Sequence, residues 1–464
     1  MSEPTGLPEG KPNILFVFSD QHRWSDLGCY GNREVLSPNL DGFAAGAVRF
    51  NHGISNAPLC VPMRGTMMTG RFPLRHRAIT NDLPIRDDGT SIAHALNAAG
   101  YHTAYIGKWH LAGVPRDRFV PPDDRLGFAE WKVCNCNHNY MQAWYDDEEN
   151  LRHEIAGYEP IGQTDLAVDF IRRNVARRWA LTLSWGPPHD PYQLVPQRYL
   201  RMYAERDLPL RPNVPAVITD TQHRRLSRAD IRRNLQGYYA HITALDEQFG
   251  RLIAALESTN QLDRTIVVYT SDHGDMLGSH GYTNKQLPYD ESIRVPFLVS
   301  WKGNTHVGVS NELIGLVDLP VSLMALAGVS FPPDVDGHDL HTLFLDPGAS
   351  GPDAVYLFDY VPCHQAADRG GREWRGIRTG RYTFARTATD DGCLLVDNER
   401  DPFQMENLVH APDHRKLKRD LSRMLDAYVS RHDKLLPWET FIREYGFTDE
   451  WNHSQKYFGR PVLQ

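Results

Sequence analysis

An aspartate and a histidine stand side by side after an apolar run in the second half of the chain. The run TIVVYTS is followed directly by Asp272 and His273. A carboxylate oxygen and an imidazole nitrogen at the end of a strand can bind a divalent cation. Asp20 ends another apolar run, NILFVFSD, and can supply a second carboxylate. The three residues are candidate metal ligands, although an isolated Asp-His pair can equally cap a loop.

Cys60 lies in the segment NAPLCVPMRGTMMTG, with Pro62 and Arg64 following it at alternate positions. If a helix begins here, the thiol lies at the positive end of the helix dipole beside free N–H groups. Arg64, about one turn further along, would add positive charge. These surroundings suit an anionic substrate, although a small buried cysteine ahead of a helix is also an ordinary packing residue.

Five further polar side chains follow apolar runs or stand in tight loops. A lysine and a histidine are two residues apart in GKWHL, so an extended backbone would direct both to one side. A second histidine is flanked by prolines in PPHDP, which fix the loop geometry. Taken singly, each of the five is typical of a loop, turn or packing residue. They are Asn81, Lys108, His110, His189 and Lys285.

Strand-like apolar runs alternate with helical patterns over about the first 345 residues. Strands are predicted in NILFVFSD, YHTAYIGKWH, WALTLSWGPPHDPY, RTIVVYTS and VPFLVS, and helices in SIAHALNAAG, DLAVDFIRRN and residues 228–257. This alternation predicts a mostly parallel sheet with helices on both faces. Ligands of such sheets bind beyond the C-terminal ends of the strands. The polar residues that follow the strands are therefore expected to share one site.

The pattern changes beyond residue 345. Short strand-like runs with turns appear in AVYLFDY, EWRGIRTGRYTFAR and CLLVDNERDPFQMENL, and residues 412–432 have helical spacing. Such runs predict an antiparallel sheet with a helix. We therefore predict a catalytic domain over residues 1–345 and a smaller α+β subdomain over residues 346–464.

Composition and charge exclude several classes of protein. The 464 residues carry a net charge of −8, which gives no electrostatic reason to expect binding to nucleic acid or anionic membranes. No run approaches the about 18 apolar residues of a membrane span, and the N-terminal residues lack the apolar region of a secretory signal. We therefore expect a cytoplasmic protein.

Six scattered cysteines do not make a disulfide framework, and CNCNH (134–138) lacks the second ligand pair of a zinc site.

Taken together, these motifs resemble those of the type I sulfatases, in the alkaline phosphatase superfamily. Cys60, Pro62 and Arg64 match the Cys-x-Pro-x-Arg motif of that family, with Met63 at the position where serine is usual. Further blocks occur in the family's order: KPNILFVFSDQHRWSDLGCYGN, SPNLDGFAAGAVRFNHGISNAPLC, GYHTAYIGKWHL, PPHDPY, SDHGDMLGSHG and RVPFLVSW. WRGIRTGRYTFAR and LLVDNERDPFQMENL resemble its C-terminal subdomain. The resemblance covers nearly the whole chain and implies an alkaline-phosphatase-like α/β fold.

The resemblance implies that a formylglycine-generating enzyme oxidises Cys60 to formylglycine after translation. The hydrated aldehyde would attack the sulfur of a sulfate monoester, and its second hydroxyl would allow sulfate to leave. The resemblance also implies a divalent cation, calcium first and manganese or magnesium as alternatives. Many relatives have two aspartates where this chain has Asp20 and Gln21. The implied ligands are Asp20, Gln21, Cys60, Asp272 and His273.

The remaining roles also follow from the resemblance. Arg64 and Lys108 would orient and stabilise the formylglycine. His189 and Lys285 would hold the sulfate oxygens, and one of them would protonate the leaving oxygen. His110 is the candidate base that ejects sulfate. A cluster of cations around a metal suits the transition state of a sulfate ester.

The substrate is expected to be a small sulfated compound, and the sequence leaves sugar, aryl and alkyl sulfates open. Asn81 would donate a hydrogen bond to the sulfate group. Residues 131–160 are aromatic and acidic and lie where the family varies, so Trp144 and Tyr145 are expected to form the rim of the pocket. The superfamily often forms dimers or tetramers, so a homo-oligomer is a further expectation.

Two other functions remain open from the sequence. Phosphonate monoester and phosphodiester hydrolases of the same superfamily share the Cys-x-Pro-x-Arg motif, an Asp-Gln opening and an Asp-His pair. A non-catalytic binding protein on the same scaffold would be expected to lack Cys60 or the carboxylates. Both features are intact here, which favours an enzyme.

Overall fold

The computed structural model describes residues 10–219, 224–368 and 370–463. Its main feature is an eleven-stranded sheet with helices packed on it, and a four-stranded sheet follows towards the C-terminus. The expectation about a secretory signal falls mostly on residues 1–9, which lie outside the described residues. Among the described residues, no helix is long and apolar enough to cross a membrane.

The strands of the described residues are numbered here in chain order. They are β1 (Asn13–Asp20), β2 (Val48–Ile54), β3 (His102–Lys108), β4 (Glu130–Cys134), β5 (Ala143–Asp146), β6 (Arg152–Ile155), β7 (Trp179–Pro188), β8 (Val217–Thr219), β9 (Arg225–Ser227), β10 (Thr265–Ser271), β11 (Arg294–Val295), β12 (Leu298–Ser300), β13 (Gly308–Gly315), β14 (Ala354–Asp359), β15 (Trp374–Thr379), β16 (Tyr382–Arg386) and β17 (Leu394–Asp397).

The α-helices are numbered in the same way. They are α1 (Pro38–Ala44), α2 (Cys60–Thr69), α3 (Pro73–His76), α4 (Ile92–Ala98), α5 (Glu159–Arg173), α6 (Gln197–Leu200), α7 (Arg228–Ser258), α8 (Asp290–Ile293), α9 (Asp318–Leu326), α10 (Thr342–Leu345), α11 (Gln365–Asp368), α12 (Arg415–His432), α13 (Trp438–Glu444) and α14 (Thr448–Tyr457).

The centre of the large sheet is parallel. Neighbouring strands follow the order β11-β2-β12-β10-β1-β7-β3-β4-β5-β6, and β13 pairs with β2. The five central strands from β10 to β4 are all parallel to one another, whereas β12, β5 and β6 join the two sides as antiparallel strands. The predicted α/β class with a mainly parallel sheet is confirmed, and the outer strands make the whole sheet mixed.

Strand β1 shows why both faces of this sheet are covered. All eight of its residues are buried. Phe16 and Phe18 face one hydrophobic core, with residues of α2, α4 and α9, while Leu15 and Val17 face a second core, with residues of α5 and α7. A continuous apolar run is the pattern of a strand buried on both faces. It leaves the polar end of the strand, Asp20, at the edge where the site lies.

The C-terminal part has the predicted antiparallel sheet, with strand order β14-β15-β16-β17. Helix α12 packs against it, and Leu421 and Leu425 of that helix enter its core. The helix predicted over 412–432 begins with a 3₁₀ turn at Pro412–His414 and is α-helical from Arg415. The domain boundary between residues 345 and 346 stays a prediction.

The two sheets are joined by hydrogen bonds from Asn56 and Gln286, which lie close in sequence to the candidate residues Cys60 and Lys285. Asn56, four residues before Cys60, donates from Nδ2 to the carbonyl of Tyr356 (2.9 Å) and accepts from the N–H of Phe358 (2.8 Å). Gln286, next to Lys285, accepts from the N–H of Cys363 (3.1 Å) and donates to its carbonyl (3.0 Å). The small sheet thereby supports segments that carry candidate catalytic residues.

Candidate active site

The polar residues that follow the central strands do converge at one edge of the sheet. Asp20 ends β1, Lys108 ends β3, His189 follows β7, and Asp272 and His273 follow β10. All of these side chains are buried. The strands are adjacent and parallel, so their C-terminal ends meet, as the sequence predicted.

Four potential ligand atoms form a compact group at this edge. One atom from each of Asp20, Cys60, Asp272 and His273 lies within 4.8 Å of the others. Cys60 Sγ is 3.2 Å from His273 Nε2 and 3.6 Å from Asp20 Oδ1. Burial and the nearby charge of Asp20 raise the pKa of Asp272. A divalent cation would relieve this repulsion, so two carboxylates, an imidazole and the side chain at position 60 fit such an ion.

Arg64 forms hydrogen bonds with both carboxylates of the candidate metal site, Asp20 and Asp272. Its Nη2 donates to Asp20 Oδ2 and its Nε to Asp272 Oδ2, both at 3.0 Å. Its Nη1 donates to the carbonyl of Lys108 (2.9 Å) and to Ser184 Oγ (2.7 Å). All three guanidinium nitrogens therefore donate hydrogen bonds, and a lysine ammonium could not reproduce this planar arrangement of donors.

The helix predicted at Cys60 is confirmed. Helix α2 begins at Cys60, and all ten of its residues are buried. The N–H of Val61 donates to Asn81 Oδ1 at 3.0 Å. Asn81 thus satisfies one of the free donors of this helix end, and its Nδ2 is not used in that bond. Its predicted hydrogen bond to a sulfate group stays a prediction.

Gln21 is held in one orientation by two charged neighbours. Its Nε2 donates to Asp275 Oδ2 (2.7 Å), and its Oε1 accepts from Lys285 Nζ (2.6 Å). Its backbone has a positive φ of 69° and its N–H donates to Asp272 Oδ1 at 3.1 Å. The amide oxygen of Gln21 is therefore directed at Lys285. Its role as a metal ligand stays a prediction.

Lys108 and His110 do not reach the site in the way that the sequence suggested. Strand β3 ends at Lys108, and His110 has a left-handed backbone with φ of 63°, so the extended geometry that would align them is absent. Lys108 Nζ instead donates to Asp20 Oδ2 at 2.7 Å, below the cavity. His110 reaches the cavity separately, as one of its lining residues.

His110 is buried, and neither ring nitrogen has a hydrogen-bond partner among the described residues. The carboxylate of Asp82 approaches its Nε2 to 3.8 Å. Burial opposes the charged form of the ring, but the neighbouring Cys136 and Asp82 raise the pKa of His110 to about 10. The predicted role as a base therefore requires His110 to lose a proton that its neighbours stabilise, and it stays a prediction.

His189 faces the same cavity in a fixed orientation. Its Nδ1 lies 2.7 Å from the carbonyl oxygen of Asp190, which can only accept, and its ring stacks on His138 at 4.5 Å between centroids. Burial and the charge of Lys285 lower the pKa of His189 well below its usual value. Holding a sulfate oxygen requires a proton on Nε2, and a bound anion would favour it.

These side chains border a cavity of about 270 Å³. It brings together five of the predicted site residues, while Arg64 and Lys108 lie beneath it. The lining residues are Cys60, Asn81, His110, Arg116, His138, His189, Asp190, Lys285, His364, Asp368, Phe458 and Arg460.

The structure does not bring Trp144 and Tyr145 together with the other predicted site residues. They lie on β5, in the antiparallel edge of the large sheet, and neither is among the described residues that line the cavity. Arg152 lies over the Trp144 ring (4.9 Å) and His153 stacks on Tyr145 (4.8 Å). These contacts lie between β5 and β6, and the prediction that the two aromatic residues form the rim of the pocket stays a prediction.

Several residues of the site were not singled out from the sequence. His138 lies in CNCNH, which was weighed only as a zinc site, yet its Nε2 lies 3.3 Å from Lys108 Nζ and its ring faces the cavity. Arg116, His364 and Arg460 line the same cavity from distant parts of the chain. CNCNH begins at the end of β4, a strand that the sequence analysis did not predict, so the position of His138 was not signalled.

Comparison with known families identifies the class of this site. The sulfatase family model matches residues 12–329, and a model described as "N-sulphoglucosamine sulphohydrolase, C-terminal" matches residues 278–431. The chain belongs to the sulfatase family. Sulfatases are members of the alkaline phosphatase superfamily, and this sulfatase is an enzyme that hydrolyses sulfate esters.

Individual relatives agree with this assignment. This chain is 34% identical over 453 residues to an ulvan-active sulfatase from Formosa agariphila. The alignment covers 96% of this chain and 85% of the relative. The chain is 29% identical to a structure from Bacteroides fragilis solved as a candidate sulfatase, with a TM-score of 0.82 and coverage of 93% of this chain and 98% of that one.

A phosphonate monoester hydrolase from Silicibacter pomeroyi also has this fold. Its TM-score is 0.74 at 23% identity, with coverage of 91% of this chain and 96% of that one. This likeness concerns the fold alone. The two sulfatases named above are more similar to this chain, so the comparisons do not favour the phosphonate alternative.

Proposed function

We propose that this sulfatase removes sulfate from a sulfated carbohydrate, using a formylglycine made from Cys60 and a divalent cation. The position of Cys60 carries the proposal: its Sγ lies at the start of α2, inside the group of Asp20, Asp272 and His273. The similarity to an ulvan-active sulfatase and to an N-acetylglucosamine-6-O-sulfatase supports a carbohydrate substrate.

The cation would be held by Asp20, Asp272, His273 and the side chain at position 60, with Gln21 as a further candidate. Carboxylate and amide oxygens dominate this set, which favours calcium. The imidazole nitrogen of His273 leaves manganese as an alternative, and magnesium as a second. When bound, the cation would supply positive charge that increases the acidity of an oxygen at position 60.

The modification changes what position 60 can do. A hydrated aldehyde supplies one hydroxyl to attack sulfur and a second whose proton can be removed to release sulfate. The chain's own residues prepare this position: Lys108 and Arg64 hold Asp20 in place, at 2.7 and 3.0 Å. Their charges lower the pKa of Asp20 well below its usual value despite burial, so it remains ionised.

The cavity residues would bind the ester group. Lys285 is buried beside Cys60, with its Nζ fixed on Gln21, and would place a positive charge on the sulfate oxygens. His189 would protonate the leaving oxygen. Asn81 would donate from Nδ2, and His110 would remove the proton that precedes release of sulfate. Asn81, His110 and His189 all line the cavity, which supports these roles.

The test combines the mass of the peptide around residue 60 with turnover of 4-nitrophenyl sulfate and a phenyl phosphonate. The protein is prepared in a host that contains the modifying enzyme. We expect the lower mass of an aldehyde, a higher kcat/KM on the sulfate, and loss of turnover in Cys60→Ala. Cys393→Ser, at a half-buried cysteine of the C-terminal part, is the control and should retain turnover. A fully active protein that keeps its sulfur at residue 60 would contradict the proposal.

A further inference from the structure

The outer part of the cavity is built by residues to which the proposed reaction gives no role. We call Arg116, His364, Asp368, Phe458 and Arg460 the outer wall. They line the same cavity as Cys60 and Lys285. If the sulfate group of a substrate binds beside Cys60 and Lys285, the part of the substrate that carries it would contact this wall.

Arg116 is presented to the cavity by a buried carboxylate. Its Nε donates to Asp82 Oδ1 (2.7 Å) and its Nη2 to Asp82 Oδ2 (2.8 Å). The Asp82 side chain is fully buried, whereas 26% of the Arg116 side chain is exposed. The two bonds do not use Nη1. The carboxylate therefore fixes the guanidinium without competing for a ligand in the cavity.

His364 and Phe458 complete this arrangement. His364 Nε2 lies 2.6 Å from Asp82 Oδ2, and the guanidinium carbon of Arg116 lies 5.0 Å from the Phe458 ring centroid. The ring of His364 meets the same phenyl ring edge-on at 5.3 Å. Arg116 is thus held on two sides, and a preorganised guanidinium loses little freedom when it binds an anion.

Arg460 supplies a second guanidinium. It pairs with Asp368 at 3.6 Å, and 31% of its side chain is exposed. With Lys285 and Arg116 it brings the lysine and arginine side chains of the lining to three. Asp82 and Asp368 each pair with one of the two arginines, but both guanidinium groups are partly exposed, so cationic groups other than Lys285 face the cavity.

The outer wall is assembled from separate parts of the chain. Arg116 lies between β3 and β4, and His364 follows β14. Phe458 and Arg460 follow α14 and lie beyond residue 431, outside both ranges that the family models match. The family models therefore do not include Phe458 and Arg460. A part of the cavity that differs between members of a family is a candidate for selecting the substrate.

We infer that the outer wall binds a second anionic group of the substrate, a carboxylate or a further sulfate carried next to the reacting ester. Guanidinium groups bind both anions through paired N–H donors. The inference rests on the proposed carbohydrate sulfatase function and defines its substrate as a sugar with two negative charges.

The experiment uses matched sulfated pyranosides that differ beside the ester in one group: a neutral hydroxymethyl, a carboxylate or a second sulfate. Hydrogen bonds to charged groups contribute enough for about a 10- to 100-fold effect. We expect wild-type kcat/KM to be higher by that factor for one or both charged members, mainly through KM. Arg116→Gln should remove the preference while leaving 4-nitrophenyl sulfate turnover within about 2- to 3-fold of wild type. Which charged member is preferred distinguishes a carboxylate from a sulfate.

Arg118→Gln is the matched control, because Arg118 lies on the same loop but borders a neighbouring cavity. It should keep the preference. Arg460→Gln, at a partly exposed site, tests the same wall if Arg116→Gln does not fold, and should reduce the preference. Equal turnover of neutral and charged sugars by the wild type, or equal losses on both in Arg116→Gln, would overturn the inference alone. Failure of the wild type on every sulfate ester, including 4-nitrophenyl sulfate, would overturn the proposed function as well.

Discussion

At the scale of single residues, hydrogen bonds hold the polar side chains of the site in one orientation. Gln21 illustrates this, since an amide can turn over and exchange its donor and acceptor. Asp275 prevents that exchange. It accepts from Gln21 Nε2, from the Tyr192 hydroxyl (2.6 Å) and from the N–H of Leu277 (3.0 Å). A fully buried carboxylate with three donors leaves the Gln21 oxygen directed at Lys285.

Asp275→Asn should therefore weaken the site although the shape of the side chain is kept. Oδ2 accepts from Gln21 and Tyr192 and Oδ1 from Leu277, so replacing either oxygen by NH₂ leaves at least one of the three donors without its acceptor. Loss of such an outer partner typically costs about 10- to 100-fold in metal affinity or activity. We expect a loss of this size in kcat/KM on 4-nitrophenyl sulfate and in calcium affinity of the metal-free protein, measured by calorimetry. Tyr192→Phe removes one donor and should have a smaller effect. Wild-type values for both quantities in Asp275→Asn would contradict this role of Asp275.

At the scale of elements, the sequence predicted the strands and helices that position the site and missed features that depend on distant pairing. Continuous apolar runs defined β1 and β10, and helical spacing over 228–257 defined α7, which runs from Arg228 to Ser258. Ser227 and Asp230 form a capping box there, a signal that is local in sequence. The candidate site residues Asp20, Lys108 and Asp272 were likewise visible locally, because each ends or directly follows its own strand.

The missed features join residues far apart along the chain. Asp82, Arg116 and His364 form one network across more than 240 positions, and no local pattern reports such a contact. The contacts of Trp144 and Tyr145 were not visible in the sequence for the same reason. Their aromatic character indicated a binding surface, but pairing of β5 with β6 directed them to Arg152 and His153. Side-chain chemistry was visible in the sequence, whereas its direction was set by the tertiary fold.

Helix α5 contains a buried carboxylate in its first turn. Glu159 is 2% exposed, its Oε1 accepts from Gln163 Nε2 (2.6 Å), and its Oε2 has no partner among the described residues. Burial raises the pKa of Glu159 from 4.5 to about 7. The folded protein therefore holds this proton over a pH range in which the unfolded chain has released it. As pH rises from about 4.5 to about 7, the free energy of unfolding must fall on account of this group.

Glu159→Gln should remove that dependence, because glutamine stays neutral and can keep the bond to Gln163. We expect the variant to gain about 1–3 kcal/mol over wild type at pH 8 and much less at pH 5. Urea unfolding at the two pH values measures the difference. The control is Glu154→Gln on the exposed strand β6, which should change stability little at either pH. An equal difference between Glu159→Gln and wild type at pH 5 and pH 8 would contradict the titration.

At the scale of the whole molecule, two buried carboxylates of like charge face each other at the centre of the large sheet. Asp20 and Asp272 are fully buried and share Arg64 as a partner. A cation that binds the folded protein and not the unfolded chain adds to stability according to its concentration relative to Kd. The proposed calcium site should therefore stabilise the whole fold as well as the reaction.

Removal of calcium with a chelator should lower Tm, and calcium added back at about 100 times Kd should restore about 3 kcal/mol. Differential scanning calorimetry of the same preparation measures both changes. In Asp272→Asn, which lacks one ligand oxygen, the chelator should shift Tm much less. A wild-type Tm that is unaffected by the chelator and by added calcium would contradict a cation held at this position.

If Cys60 is converted to the proposed formylglycine, the complete burial of helix α2 limits when that conversion can occur. Cys60 is 1% exposed, and every residue from Cys60 to Thr69 is enclosed. An oxidising enzyme has to touch the thiol and grip the backbone around it, which the finished fold does not permit. Maturation would thus have to occur while the nascent polypeptide is still open, and a molecule that folds too early would keep its thiol for as long as it stays folded.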